Sequence, residues 1–454
     1  MKRILFMLLA VFTLTAANAQ KNYSKELDAY VMAYADVHGF SGNILVAQKG
    51  KIIYEKFLGQ ANREWQVANT ADSRFLIGSL TKQFTAAAIL QLEEKGKLST
   101  EDKISRFFPD FPNGDRITLH MLLNHTSGLK SDSGDSEPDV YKINPNIPIE
   151  ELKDILINIF KNTPLEFEPG TSWRYSNSGY VLLGYIIEQV SGETYRDYMY
   201  KNILQKAGMA NTDLSSQSAI IPNFAFGYSL TPEFGWRKAK TTPFNTGFSV
   251  GGLYSTTHDL LKWNEALVSG KIISKKSFDK MHAPNHGQFG AGYGIFVGES
   301  YDHHKMFDHQ GALEGYNTFM ARYPDDELCI IVLTNKDTNL DFLPKTLAAI
   351  MFDKKIVIPT KRMPVKVSNN LIGLYQGTYE GPELPFPLNV VEKDNKLYLR
   401  MHRDVELVPQ SDNKFYINEP DVEIQIEFKE EKGKPSSIAS FIAAGVKSEG
   451  KRKV

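Results

Sequence analysis

Hydrophobic positions along the chain recur with two different periods, and the switches between them divide it into elements. In "YSKELDAYVMAYADVHGF" the apolar residues fall three and four apart, which predicts a helix. "SGNILVAQKGKIIYEKFLGQAN" reads instead as two strands joined at Lys49-Gly50. From about Leu76 to Leu98 the helical period returns, with Phe84, Ala87, Ala88 and Leu92 on one face and Gly96 as a C-terminal stop. Residues 99–214 read mostly as helical pieces and loops, a separate helical lobe. "YNTFMARYPDDELCIIVLTN" then predicts two strands around a Pro324-Asp325-Asp326 turn, followed by the helix-like "FLPKTLAAIMF". Strands on both sides of the lobe imply that it is inserted into a mixed sheet packed against helices.

At residues 359–368 the pattern gives way to a basic, proline-containing linker. Beyond it, residues 369–454 carry short alternating segments such as "KLYLRM" and "VEIQIEF", separated by turns at "EKDNK" and "SDNK". This tail is expected to form a small all-β domain, a sandwich or a barrel. The main body then spans residues 20–358. Residues 1–19 have two basic residues, an apolar run and Ala17-Asn18-Ala19, the pattern of a secretory signal peptide cleaved near Ala19/Gln20. The expectation is a periplasmic or secreted protein. No cysteine follows the apolar run to carry a lipid, and no later segment reaches the roughly 18 apolar residues a transmembrane anchor needs.

Composition narrows the function. With 454 residues, 42% of them hydrophobic, the chain can bury a large core in more than one domain. Lys and Arg total 52 against 53 for Asp and Glu without blocks of one sign, so there is no electrostatic case for nucleic acid or an anionic membrane. A small neutral or mixed-charge substrate fits better. The sole cysteine, Cys329, lies in "LCIIVLT", the setting of a buried structural thiol rather than a nucleophile.

Candidate chemistry starts at "FLIGSLTKQFTAAAIL", where Ser79 stands at the start of the predicted helix and Lys82 one turn on, on the same face. A serine there can attack a carbonyl while a partly desolvated lysine takes its proton, and helix-end N–H groups can serve a developing oxyanion. The spacing recurs at Ser127/Lys130, Ser277/Lys280, Ser411/Lys414 and Ser448/Lys451, but only Ser79 opens an apolar helix. A helix cap followed by a solvated lysine accounts for the same spacing. "WRYSNSGY" supplies Tyr175 and Asn177 before a helix. A phenol near an ammonium can act as a base and a side-chain amide can orient substrate, although an aromatic anchor in a turn reads the same way.

Two other sites compete. "GFSVG", Gly247 to Gly251, matches the form of a nucleophile elbow, but "KAKTTPFNT" is not the apolar strand that must run into one. His303, His304, Asp308 and His309 lack the one-turn spacing of a helical zinc site, and adjacent histidines in a strand face opposite ways. A solvated loop before a strand is the plainer account of that cluster.

Taken in order, Ser79-x-x-Lys82, Tyr175-x-Asn177 and His309-x-Gly311 resemble the three motifs of the serine β-lactamase and penicillin-binding-protein superfamily. The Tyr-x-Asn form is similar to class C β-lactamases, D-alanyl-D-alanine carboxypeptidases, D-aminopeptidases and related esterases. "LLNHTSGL", "PGTSWRYSNSGY" and "GGLYSTTHDLLKW" look like further family hallmarks, and the likeness covers about Leu45 to Asn335. It implies an α+β, β-lactamase/transpeptidase-like fold: an antiparallel sheet flanked by helices, with the inserted helical lobe. The tail resembles the lipocalin-like domain attached to some of these hydrolases.

The resemblance implies an acyl-enzyme on Ser79, with Lys82 and Tyr175 sharing the proton transfers and either of them the base. It implies an oxyanion hole from the N–H groups of Ser79 and Ala312, and substrate contacts from Asn177, His309 and Gly311. Neither metal nor organic cofactor is needed. No motif matches the deacylating glutamate of class A enzymes. The expected substrates are D-amino-acid peptides, cell-wall fragments or small esters. Alternatives are a true class C-like β-lactamase and a catalytically slow penicillin- or wall-fragment-binding protein whose tail binds the partner. His309 stands where many relatives have lysine. A partly charged histidine of shorter reach implies weaker dependence on a substrate carboxylate.

Overall fold

The computed structural model describes residues 22–131, 149–216, 219–231, 234–239, 244–284, 290–300, 303–419, 421–429, 431 and 433–453. The signal-peptide reading of residues 1–19 lies outside them. No helix among the described residues is long and apolar enough to cross a membrane.

A six-stranded sheet forms the centre of the body, in spatial order Phe296–Glu299, Lys305–Leu313, Tyr316–Tyr323, Leu328–Thr334, Gly42–Gln48, Lys51–Leu58. Every neighbouring pair is antiparallel, where the order of elements along the chain predicts a mixed sheet. The reason is that hairpin turns join most of these strands, and a hairpin returns the chain antiparallel. The adjacent inner strands Leu328–Thr334 and Gly42–Gln48, from opposite ends of the body, are buried along nearly their whole length.

Their side chains separate by alternation into two cores. Leu45, Ala47, Cys329, Ile331 and Leu333 face the helical lobe. Ile44, Val46, Leu328, Ile330 and Val332 face the first helix, Tyr23–His38, and the helix Leu343–Met351. Burying both faces explains why "LCIIVLT" is uninterrupted apolar sequence rather than an alternating one.

The predicted helix from Leu76 to Leu98 is shorter and begins differently. Phe75–Leu76 is a strand, Gly78–Leu80 a 3-10 turn, and the α-helix runs Thr81–Glu94. Gly96, at φ 66, terminates it as expected. The helix is buried on every side from Thr81 to Leu92, not on one face, because it runs through the middle of the lobe core. Its short residues Ala86, Ala87 and Ala88, on successive sides, suit close packing in a core shared with helix Asn177–Ser191 and other neighbours.

Beyond the linker, eight strands from Gly377 to Arg452 follow one another as a meander and close into a barrel, the first pairing with the last through Tyr379 and Arg452. Leu388, Leu399, Phe415, Ile426 and Phe428 fill its interior, and the short helix Asn369–Tyr375 adds Ile372 and Tyr375 to the same core.

Candidate active site

Two glycines bring the serine turn and the edge of the sheet together. Gly78 takes φ 51, and a Cβ there would lie 3.0 Å from Ala312 N and 3.2 Å from Gly311 Cα. A Cβ on Gly311 would lie 2.0 Å from Ile77 O. Only residues without side chains allow this approach, which seats the backbone of Ser79 beside that of Ala312. Ser79 is half-buried in the 3-10 turn, where the sequence predicts the first turn of the helix. The turn arises because Gly78 adopts the left-handed region and breaks the helical path before the helix begins.

Lys82 is completely buried. Its Nζ donates to Ser79 Oγ at 3.0 Å and to Val250 O at 2.9 Å, and lies 4.9 Å from the centre of the Tyr175 ring. A solvated lysine is thereby set aside: the ammonium is aimed at the serine hydroxyl in a dry setting. There its interactions with charge and with ring faces are strengthened.

Tyr175 directly precedes helix Asn177–Ser191, whose N-cap is Ser176, with Ser176 Oγ accepting from Gly179 N. His125, in the "NHTSGL" stretch, brackets the tyrosine. Its carbonyl accepts from Arg174 N at 3.1 Å and its Nδ1 from Ser176 N at 3.1 Å, while its ring lies 4.5 Å from that of Tyr175. Burial, then the nearby Lys82 and His309, hold the His125 pKa well below the usual histidine value. The ring is therefore neutral, and because Nδ1 accepts, its proton is on Nε2. Asn177, half-buried, donates its backbone N–H to Ser131 Oγ at 3.3 Å.

The third wall is the strand Lys305–Leu313. Phe307, His309 and Gly311 point inward and Gln310 and Ala312 outward, as alternation requires. Pairing with Phe296–Glu299 ends at Asp308, so among the described residues that edge of the strand has no strand partner from His309 onward. His309 is buried, donates Nδ1–H to Gln310 O at 2.5 Å, stacks on Phe296 at 5.2 Å and lies 6.1 Å from Tyr175. Burial and the charge of Lys82 push its pKa down to about 3. It is therefore neutral at ordinary pH, which corrects the expectation of a partly charged side chain. Trp173, 6.2 Å from Phe296, extends this uncharged aromatic wall.

The rival candidates lie elsewhere. Ser249 is buried and its hydroxyl donates to Tyr180 O at 2.8 Å, while its own carbonyl accepts from Thr85 and the next one from Lys82. The "GFSVG" segment thus helps seat Lys82 and is no nucleophile elbow. His303 pairs with Glu299, and His304 pairs with Asp326 and stacks on Phe352, so neither converges on His309. Among the described residues no group of three or more His, Cys, Asp and Glu is placed to hold a metal ion. Burial drives the Cys329 thiol up to about 12, far from a reactive thiolate.

Sequence reasoning missed four participants: His125, Trp173, Phe296 and the Val250 carbonyl. His125 left a signal, a polar His-Thr-Ser run inside an apolar stretch, but Phe296 left none. The bracket around Tyr175 makes a test. His125→Leu is expected to slow acylation of the protein about 10- to 100-fold, the cost of misplacing a reacting group by a fraction of a bond length or more. His125→Asn should lose less, since asparagine tolerates the left-handed backbone at φ 64 and can accept a backbone N–H. Single-turnover labelling measures this, and a wild-type rate for His125→Leu would show that the bracket is dispensable.

The chain is similar to several known proteins. Penicillin-binding protein 4* of Bacillus subtilis is 30% identical over 443 residues, spanning 91% of this chain and 96% of that protein. Among solved structures, the octameric penicillin-binding protein homologue from Pyrococcus abyssi superposes with a TM-score of 0.66 at 25% identity, covering 94% of this chain and 99% of that one. The penicillin-binding protein from Bacillus halodurans gives a TM-score of 0.62 at 28% identity over 72% of this chain and 99% of its own. A family model named Beta-lactamase matches residues 27–352, the body without the barrel, and the chain belongs to that family of serine hydrolases and penicillin-binding proteins.

Proposed function

We propose that this protein is an exported serine hydrolase that forms an acyl-enzyme on Ser79. Its substrates are amide or ester bonds in D-amino-acid peptides, cell-wall fragments or small esters. The observation that carries the reading is the buried Lys82 ammonium, 3.0 Å from Ser79 Oγ and against the Tyr175 ring. Ser79 Oγ attacks the carbonyl while one member of the Lys82–Tyr175 pair is deprotonated, as the neutral amine or the phenolate; that member takes the serine proton and the pair later returns one to the leaving group. The N–H groups of Ser79 and Ala312 receive the oxyanion. The open edge of the 309–313 strand and the Asn177 amide align the substrate, and water clears the acyl group. Export rests on the N-terminal segment alone.

Incubation with p-nitrophenyl esters, D-aminoacyl amides and a fluorescent penicillin, following product release and covalent labelling together, tests the class. The name of the Bacillus subtilis relative supports including a penicillin. Fast release without accumulated label would favour the β-lactamase alternative, and label without release the slow binding protein.

Substrate charge follows from His309. A neutral ring stacked on Phe296 offers no cation to a substrate carboxylate. His309→Lys is expected to raise the rate on carboxylate-bearing substrates relative to carboxylate-free ones by about tenfold, the scale of one charge-assisted hydrogen bond. Paired kcat/KM values give the ratio, and an unchanged ratio removes His309 from the account of specificity.

A further inference from the structure

The barrel meets the body through a buried cluster of charges. Asp421 and Glu423, both from the barrel, are 6% and 5% exposed. Asp421 Oδ1 lies 3.4 Å from Lys336 Nζ and 3.6 Å from His38 Nδ1. Its Oδ2 accepts from Thr338 Oγ1 at 2.7 Å and from Asn339 N at 3.3 Å. Glu423 pairs with His38 at 2.5 Å and with Arg362 of the linker at 3.4 Å. One barrel carboxylate thus holds residues 336, 338 and 339 of the body.

That same segment holds the far end of the active site. Asp337 Oδ1 accepts from Gly315 N at 2.6 Å, Thr338 N donates to Asn317 Oδ1 at 3.0 Å, and Gln310 Nε2 donates to Asp341 Oδ1 at 3.1 Å. Gly315 lies in the turn just past Ala312, between the strands Lys305–Leu313 and Tyr316–Tyr323. Beyond Asp308 the first of these strands has, among the described residues, a sheet partner on one side only, so ties at its turn do more to fix it than they would inside a sheet. A catalytic N–H must be held to a fraction of an ångström, and a single displaced turn moves it.

We propose that the barrel is a working part of the active site: Asp421 is a positioning residue that sets, through residues 336–341, where the strand carrying Ala312 lies. The inference rests on Ala312 serving as an oxyanion donor, as proposed above.

Full-length Asp421→Ala and Asp421→Asn test it, beside Lys361→Ala, which removes the exposed pair of the linker with Asp36 and leaves the 336–341 segment untouched. Single-turnover acylation and amide hydrogen exchange across residues 305–320 are read together. Asp421→Ala is expected to acylate about 10- to 100-fold more slowly with a smaller change in KM, and to exchange faster around Ala312 and Gly315. Asp421→Asn, which keeps an acceptor, should recover part of both, and Lys361→Ala should match wild type. Wild-type exchange or wild-type acylation in a folded Asp421→Ala overturns the proposal. If that variant does not fold, Asp421→Asn decides on the same two readouts. Exchange needs no turnover, so a wild type that never acylates Ser79 sinks the functional reading while exchange still decides whether Asp421 holds the strand.

Discussion

Ser79→Ala is expected to abolish covalent labelling by a fluorescent penicillin and to lower turnover of every substrate in the panel by about 10³-fold or more, the scale seen when a nucleophile is removed from a coupled site. The fold should survive. Ser79 is half-buried in a turn shaped by Gly78 and by packing against the 305–313 strand, and neither depends on its hydroxyl. Melting temperature and substrate affinity should therefore change little while kcat collapses. Two other nucleophile types in the body are not placed to substitute: the Ser249 hydroxyl is buried and committed to Tyr180 O, and Cys329 lies in the core. Full activity in Ser79→Ala would end the acyl-enzyme assignment.

Lys82→Met and Tyr175→Phe come next, and they separate the two candidates for the base. Tyr175→Phe keeps the ring that packs against His125 and removes only the hydroxyl, so its effect reports chemistry rather than packing. A loss of about 10²- to 10⁴-fold in acylation is expected, the range for general acid–base groups. Lys82→Met keeps length and removes the ammonium. It leaves the buried Val250 carbonyl without that donor, which costs about 1–3 kcal/mol of stability alongside a loss of activity at least as large as that of Tyr175→Phe. Because the two groups lie within 5 Å of each other by the Lys82 Nζ to Tyr175 ring distance of 4.9 Å, their effects should not add in the double variant. Single-turnover acylation of both single variants and the double variant gives the result. If each single variant stays within a few-fold of wild type, neither residue is the base.

Much of this was readable from spacing. The Lys49-Gly50 turn, the two strands around Pro324-Asp325-Asp326 and the β-rich tail follow from local periodicity and turn chemistry. The residues gathered around Lys82 were nameable for a different reason. Ser79 and Lys82 are one helical turn apart, and Tyr175 and His309 sit in short motifs whose order resembles a known family. The start of the helix at Thr81 was not readable, because the 3-10 turn before it depends on Gly78 meeting a strand more than 230 residues away in the chain, at Gly311 and Ala312.

The sequence alone determined which residue types could carry acyl transfer, where most of the strands and helices fall to within a few residues, and that positive and negative charges nearly balance along the chain. Those are properties of nearest neighbours and of composition. Tertiary structure decided the states of the groups. Burial beside Lys82 makes His309 neutral, a bracket from His125 orients Tyr175, and Asp421, from a separate domain, ties down the segment beside the strand of Ala312. Charge state depends on desolvation and on partners brought in from distant segments, and neither is written in the spacing of residues along one stretch of chain.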